Sequence, residues 1–169
     1  MSTVTIERAS SSTDLTEIEV LMREYLCWAA EETEKQFSEY LDVEELIEHS
    51  KQDMHLFLSE SGRLLIVRVD EKIAGMGFLK GIKDGVCEIK RMYVRPGNRG
   101  LGLGRKILQT LISAAKEIGY TRVLLDSERY MHAAHDLYRS FGFKETTAYS
   151  ETEMNPEYYQ HLMFMELEL

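Results

Sequence analysis

A chain of 169 residues that is 44% hydrophobic and 29% charged has the size and composition of one ordinary globular domain, which excludes the disordered and fibrous classes. Its 20 basic and 29 acidic residues give a net charge of −9, which argues against a general nucleic-acid binder carrying a basic face. Two cysteines, Cys27 and Cys87, are too few for a disulfide framework and stand at no metal-binding spacing, so a reducing compartment and no metal are expected.

The first residues, MSTVTIERASSSTD, lack the apolar core of a signal peptide. No apolar run approaches the roughly 20 residues that span a bilayer, so a cytoplasmic protein without membrane association is expected. TVTIERA alternates and predicts a first strand. Asp14 followed by Glu17 resembles a capping box, and Leu15, Ile18, Met22, Tyr25, Leu26 and Ala29 follow at helical spacing. After the polar stretch EETEKQFSEY, Asp42 with Glu45 predicts a second helix start, carried by Leu46 and Ile47. RLLIVRV and KIAGMGFLKG read as strands joined by a tight turn at Asp70-Glu71; KDG at 83–85 is another turn, and VCEIKRMYV the next strand.

A glycine-rich stretch then leads into a helix whose Ile107, Leu108, Leu111, Ile112, Ala115 and Ile118 share one face, with Gly119 as its stop. RVLLD is a short, continuously apolar strand of the kind buried in a parallel pair. Ala134, Leu137, Tyr138 and Phe141 mark a last helix ended by Gly142, and FKETTAY and HLMFMELEL read as a closing pair of strands. No repeat or Gly/Ser/Pro-rich linker divides the chain, so residues 1–169 are read as a single domain. Hairpins first and a βαβ crossover in the middle predict a mixed α/β fold, one sheet with helices on its faces.

Two features carry chemistry. In VCEIKRMYV, Cys87 and Ile89 are apolar at odd positions but Met92 and Val94 at even ones. This phase slip across Lys90-Arg91 predicts a β-bulge, which leaves backbone groups unpaired near Met92 and Tyr93. In VRPGNRGLGLGRKIL, Gly100, Gly102 and Gly104 stand between a strand and a helix N-terminus, where free N–H groups and the helix dipole favour an anion. Lys90, Arg91, Arg95, Arg99, Arg105 and Lys106 fall within 90–106 without a single acid, which suggests a polyanionic ligand. The spacing matches neither a P-loop nor G-x-G-x-x-G.

Arg99-x-x-Gly102-x-Gly104, after a strand ending MYVRP, resembles the acetyl-CoA pyrophosphate loop of the GNAT N-acetyltransferase superfamily. AAHDLYRSFGF at 133–143 resembles the family's second signature, A-x-x-L-Y-x-x-x-G-F. The two stand in the family's order and spacing, and the resemblance covers about residues 60–169. REYLCWAAEE and FMELEL are also similar to an uncharacterised subgroup. The resemblance implies a mostly antiparallel, twisted sheet of about seven strands, its central parallel pair splayed to hold coenzyme A and its helices on both faces. It implies acetyl-CoA as co-substrate, backbone contacts from Met92, Tyr93 and Val94 to the pantetheine arm, and a pyrophosphate loop of Arg99, Gly100, Leu101, Gly102, Leu103, Gly104 and Arg105.

It further implies N-acetyl transfer to the amine of a small molecule or peptide, by direct attack. Tyr138, at the tyrosine of the Leu-Tyr signature, would be the donor to the departing sulfur, and Glu88 a general base. For Glu88, an ordinary strand glutamate paired with Lys90 or Arg91 is equally open; for Tyr138, a core tyrosine is the alternative. Met131 stands where the family often has a cofactor-contacting Asn, so no contact is carried over there. Tyr25, Trp28 and Tyr149 are substrate candidates, with Phe37, Tyr40 and Tyr158 as further aromatics of the same region. His132 and His135 lack an H-E-x-x-H pattern and read as solvated or packing residues. A homodimer is left open. A non-catalytic CoA-binding or sensing domain is the principal alternative, and phosphopeptide or nucleotide binding by the basic loop a third.

Overall fold

Alternation in the first residues forms β1 (Val4–Arg8), an edge strand antiparallel to β2 (Arg63–Val69) in the computed structural model, which describes residues 1–169. Between them lie α1 (Ser12–Phe37), α2 (Val43–Gln52) and the five-residue α3 (Met54–Leu58). The cap of α1 differs from the Asp14–Glu17 expectation. Ser11 is the N-cap: its Oγ accepts from the Asp14 N–H, and the Asp14 carboxylate accepts from the Ser11 N–H, both at 3.0 Å. Three consecutive serines made the capping position ambiguous. Glu17 instead turns with Asp14 onto Arg68 of β2, at 2.5 and 2.8 Å. α2 starts as expected, with the Glu45 N–H donating to Asp42 at 3.1 Å. α3 is too short to show a period and went unread, yet it delivers Phe57 to the core against Phe78.

β2 turns into β3 (Lys72–Lys83) through Asp70 and Glu71, both left-handed at φ 49° and 65°. Two positive φ values match the twist of a two-residue hairpin, and the Thr3 N–H donates to Asp70 at 2.8 Å to hold the turn. β4 (Val86–Val94), α4 (Leu103–Ile118), β5 (Arg122–Glu128), α5 (His132–Ser140), β6 (Lys144–Thr146) and β7 (Leu162–Glu168) complete the chain. FKETTAY contributes only three residues to the sheet; the chain then leaves it in a loop over 147–155.

The seven strands form one sheet in the order β1-β2-β3-β4-β5-β7-β6, antiparallel except for β4 beside β5. α4 and α5 cover one face, where Leu103, Ile107, Leu108 and Leu111 pack on Val67, Leu79, Cys87 and Val123. α1, α2 and α3 cover the other, with Ile18, Leu21, Met22, Ile47 and Phe57 against Leu64, Ile66, Met76 and Phe78. No helix is long and apolar enough to cross a membrane.

Candidate active site

The phase slip in β4 is a bulge. Lys90 lies opposite Phe78 and Tyr93 opposite Met76, so Arg91 and Met92 share the single position of Gly77. Arg91 absorbs the extra residue in a left-handed conformation, φ 52°. On its other side β4 pairs with β5 only over Val86–Glu88, against Arg122–Leu124. Beyond Glu88 the two strands part. Met92 and Val94 then turn their side chains into the α4-side core, while Tyr93 faces the other way, 5.4 Å from the ring of Tyr25.

The glycine loop closes one end of this gap. Gly100 and Gly102 have φ of 83° and 71°, and a Cβ on either would meet nothing within 4 Å. It is therefore the backbone conformation, not crowding, that calls for glycine there. Gly102 is the N-cap of α4 and offers no side-chain cap, so the first N–H groups of that helix have no side-chain acceptor, and its first turn holds no acid. Leu101 is exposed and Leu103 buried. Arg99 donates to the Val94 carbonyl at 3.2 Å and lies over the Trp28 ring; Arg105 donates to Ser140 at 3.0 Å and stacks on Phe141.

The basic segment does not act as one patch. Lys90 and Arg91, before and at the bulge, both turn to Glu153, and Arg95 forms a two-point pair with Glu24 at 2.9 and 2.5 Å. Adjacency in sequence suggested a common cluster, but strand pleat and bulge distribute these cations. Arg99, Arg105 and Lys106 remain at the loop.

Glu88 sits where β4 and β5 part. It is 1% exposed, neither carboxylate oxygen has a hydrogen-bond partner, and Lys90 Nζ stands 3.7 Å away. Burial pushes its carboxyl up to about 7, against the pull of Lys90. Cys87 faces the α4-side core, as strand alternation requires. Asp126 accepts from Thr152 Oγ1 at 2.6 Å and from the Tyr149 hydroxyl at 3.5 Å, and burial raises its pKa too. Glu128 accepts from the Tyr158 hydroxyl at 2.8 Å and is pushed by burial to about 7. Glu153 is held down at about 2: burial opposes its charge, but Arg91 and Lys90 prevail.

Tyr138 is buried on α5 beside Phe143, and its hydroxyl has no hydrogen-bond partner within the chain; burial pushes it up to about 12. His135 packs with Nε2 3.1 Å from Ser127 Oγ.

A cleft leads to the parting strands, its inner wall including Arg91 of β4 and Asp126–Glu128 of β5. Its mouth, about 410 Å³, opens between residues 39–49 and 153–160. A smaller chamber of about 50 Å³ lies behind it, walled by Tyr25, Arg91, Asp126, Ser127 and Glu128. The two share Leu41, Leu46, Glu153 and Met154, which form a neck. Of the substrate candidates, Tyr25 lines the chamber and Tyr149 reaches Asp126 from below, buried against Phe164. Trp28 stands outside both cavities, between Arg99 and Tyr130. Sequence reasoning missed Asp126, Glu128 and Glu153. Two carboxylates at alternate positions after the apolar run of RVLLD were the available signal for the first two; nothing local marks Glu153.

The model of the acetyltransferase (GNAT) family matches residues 20–143. An uncharacterized N-acetyltransferase of Schizosaccharomyces pombe is 30% identical over 171 residues, covering 99% of this chain and 96% of that protein. Among solved structures, an acetyltransferase from Streptococcus agalactiae superposes with a TM-score of 0.77 at 18% identity, over 98% of each chain. A protein from Salmonella typhimurium solved with its cofactor acetyl-CoA gives a TM-score of 0.68 at 23% identity, over 98% of this chain and 94% of its own.

Proposed function

We propose, from the premise that the chain belongs to the GNAT acetyltransferase family and is an acyl-CoA-dependent acyltransferase, that it moves an acetyl group from acetyl-CoA to a primary amine by direct attack, within a single domain of residues 1–169. The observation that carries this reading is Glu88: a buried carboxylate with no hydrogen-bond partner, at the last residue before β4 and β5 part. Holding this carboxylate charged without a hydrogen bond, with Lys90 Nζ no nearer than 3.7 Å, is destabilising by about 1–3 kcal/mol. A group held near neutrality at such a point suits proton transfer at physiological pH.

The residues fit the co-substrate. The uncapped N-terminus of α4, with Gly100, Leu101, Gly102, Leu103 and Gly104 and the cations Arg99 and Arg105, suits a pyrophosphate. The backbone of Met92, Tyr93 and Val94, unpaired toward β5, suits the amide-bearing arm. Acetyl-CoA, when bound, supplies an acyl group activated as a thioester. Glu88, directly or through a water, takes the proton that the amine loses as its nitrogen–carbon bond forms. Backbone N–H groups beside the bulge meet the charge that develops on the carbonyl oxygen. The Tyr138 hydroxyl donates to the sulfur as the carbon–sulfur bond breaks. Tyr25 and Tyr149 shape the acceptor side: Tyr25 lines the chamber, and Tyr149 donates to the buried Asp126. Glu39, Asp42, Glu45 and Glu157 rim the mouth and favour the approach of a protonated amine.

A panel of primary amines with acetyl-CoA, followed by thiol release and by mass of the acetylated product, tests the reaction. Tyr138→Phe tests the donor. It keeps the ring and its packing, so acetyl-CoA affinity and melting temperature hold, while kcat falls by ~10²-fold, since the hydroxyl acts on charge present only during reaction. Near-normal turnover in this variant refutes the donor role. Binding of acetyl-CoA without turnover of any amine would instead favour a CoA-sensing domain.

A further inference from the structure

Arg91 takes no part in the chemistry above, yet its buried side chain beside the cleft makes five hydrogen bonds. It occupies the left-handed position of the bulge, φ 52°, where glycine would be unstrained. Its guanidinium is buried and reaches two elements distant in sequence. Nε and Nη2 donate to Ser50 Oγ at 3.1 and 2.9 Å, and Nη2 reaches toward the Leu46 carbonyl of the same helix at 3.4 Å. Nη1 and Nη2 donate to the two oxygens of Glu153 at 2.7 and 2.9 Å, in the fork geometry only arginine offers. Lys90 Nζ stands 3.2 Å from the same carboxylate.

The two elements so joined are the two walls of the cleft. Leu46 of α2 and Glu153 of the 147–155 loop both belong to the neck between mouth and chamber. A buried ion pair is a poor stabiliser compared with apolar packing, and its best-attested use is to specify an arrangement.

We propose that Arg91 is a positioning residue that clasps α2 and the 147–155 loop to the β4 bulge and thereby sets the width of the acceptor that reaches the parting strands. The chamber is the smaller space, about 50 Å³ against about 410 Å³ in the mouth, which favours an acceptor with a slim end, a primary amine on an unbranched CH₂, and its bulk in the mouth. This selectivity rests on the acyl-transfer reading above; the clasp itself does not.

The test uses Arg91→Gly, which suits the left-handed backbone and deletes the fork, Arg91→Lys, which keeps the charge without the fork, and Glu153→Gln. The probes are n-butylamine and sec-butylamine, which differ in branching at the carbon bearing nitrogen. In the wild type the unbranched amine is preferred. In Arg91→Gly the KM for n-butylamine rises by about tenfold with a smaller change in kcat, and the preference over sec-butylamine shrinks by about fivefold. Acetyl-CoA half-saturation stays put, and millimolar guanidinium restores the preference in this variant only. Arg91→Lys and Glu153→Gln shift the same constants in the same direction. A preference unchanged in all three variants, or a fall in kcat common to both amines without guanidinium rescue, overturns the proposal.

Amide hydrogen exchange on the same proteins reads the clasp without any acceptor. Residues 43–52 and 147–155 should exchange about tenfold faster in Arg91→Gly, slow again with guanidinium, and leave α4 unaffected. Unchanged exchange in both segments, or an increase throughout the chain, also overturns it. If the wild type acetylates neither amine while the exchange result holds, it is the acyl-transfer reading with these acceptors that fails, and the clasp stands.

Discussion

Glu88 should register in both stability and rate, and the rate decides whether it works. Its carboxyl, ordinarily near 4.5, rises to about 7 in the folded chain because burial disfavours the charge. The folded state therefore holds the proton more tightly than the unfolded one. The stability that goes with the bound proton is complete below about 4.5 and is lost as pH climbs through 7. Glu88→Gln should accordingly stabilise the protein at pH 8, by about 1–3 kcal/mol in urea unfolding, and by little near pH 4.5. The same change should depress acetyl transfer near neutral pH and recover at high pH, where the amine is already free. A variant with wild-type rates across the profile leaves Glu88 a structural residue. Glu88 and Tyr138 were named because they stand at positions the family resemblance points to, and the variants above test their roles. Arg91 was grouped with the anion-binding cations because a bulge reassigns faces in a way that neighbouring letters do not record.

Among elements, the N-terminus of α4 carries the sharpest expectation. Gly102 is left-handed, a conformation that aspartate tolerates better than most residues, and an aspartate at an N-cap is favourable to the helix dipole. Gly102→Asp should therefore cost the unliganded protein about 1–2 kcal/mol, the strain of a side chain at a positive φ, partly offset by the helix dipole. It should nonetheless abolish the thermal stabilisation by millimolar acetyl-CoA, which in the native protein amounts to a few kcal/mol, on the order of RT ln([L]/Kd). Differential scanning fluorimetry with and without ligand decides it: a retained shift sinks the loop assignment. α2, α4 and the β2–β3 hairpin were legible because cap, period and turn residues agree in each. The N-cap of α1 was misplaced within a run of serines, and α3 is shorter than the window in which a period can be seen.

At the scale of the molecule, mixed-sheet topology followed from hairpins flanking one crossover. The divergence of β4 from β5 did not, since strand letters carry no information about where pairing ends. The halves β1–β4 and β5–β7 share only the three residue pairs at Val86–Glu88. A ligand in the gap touches both halves at once. Coenzyme A should slow amide exchange over residues 89–94 of β4 and 125–128 of β5 together, by about tenfold or more. Protection confined to α4 would place the arm elsewhere. The cleft walls, by contrast, come from residues 39–49 and 153–160, brought together only by the closed fold.

The bulged end of β4 divides its labour by atom type. Met92 and Val94 pack their side chains into the α4-side core, while their main chain borders the gap. A saturation library across 92 and 94 should therefore sort its survivors by volume and oiliness, as any core strand would. Its one signature of a second duty would be the loss of proline even where the protein still folds. A reader of such a map would see ordinary packing, because the half of the site that serves the ligand is written in atoms every amino acid shares.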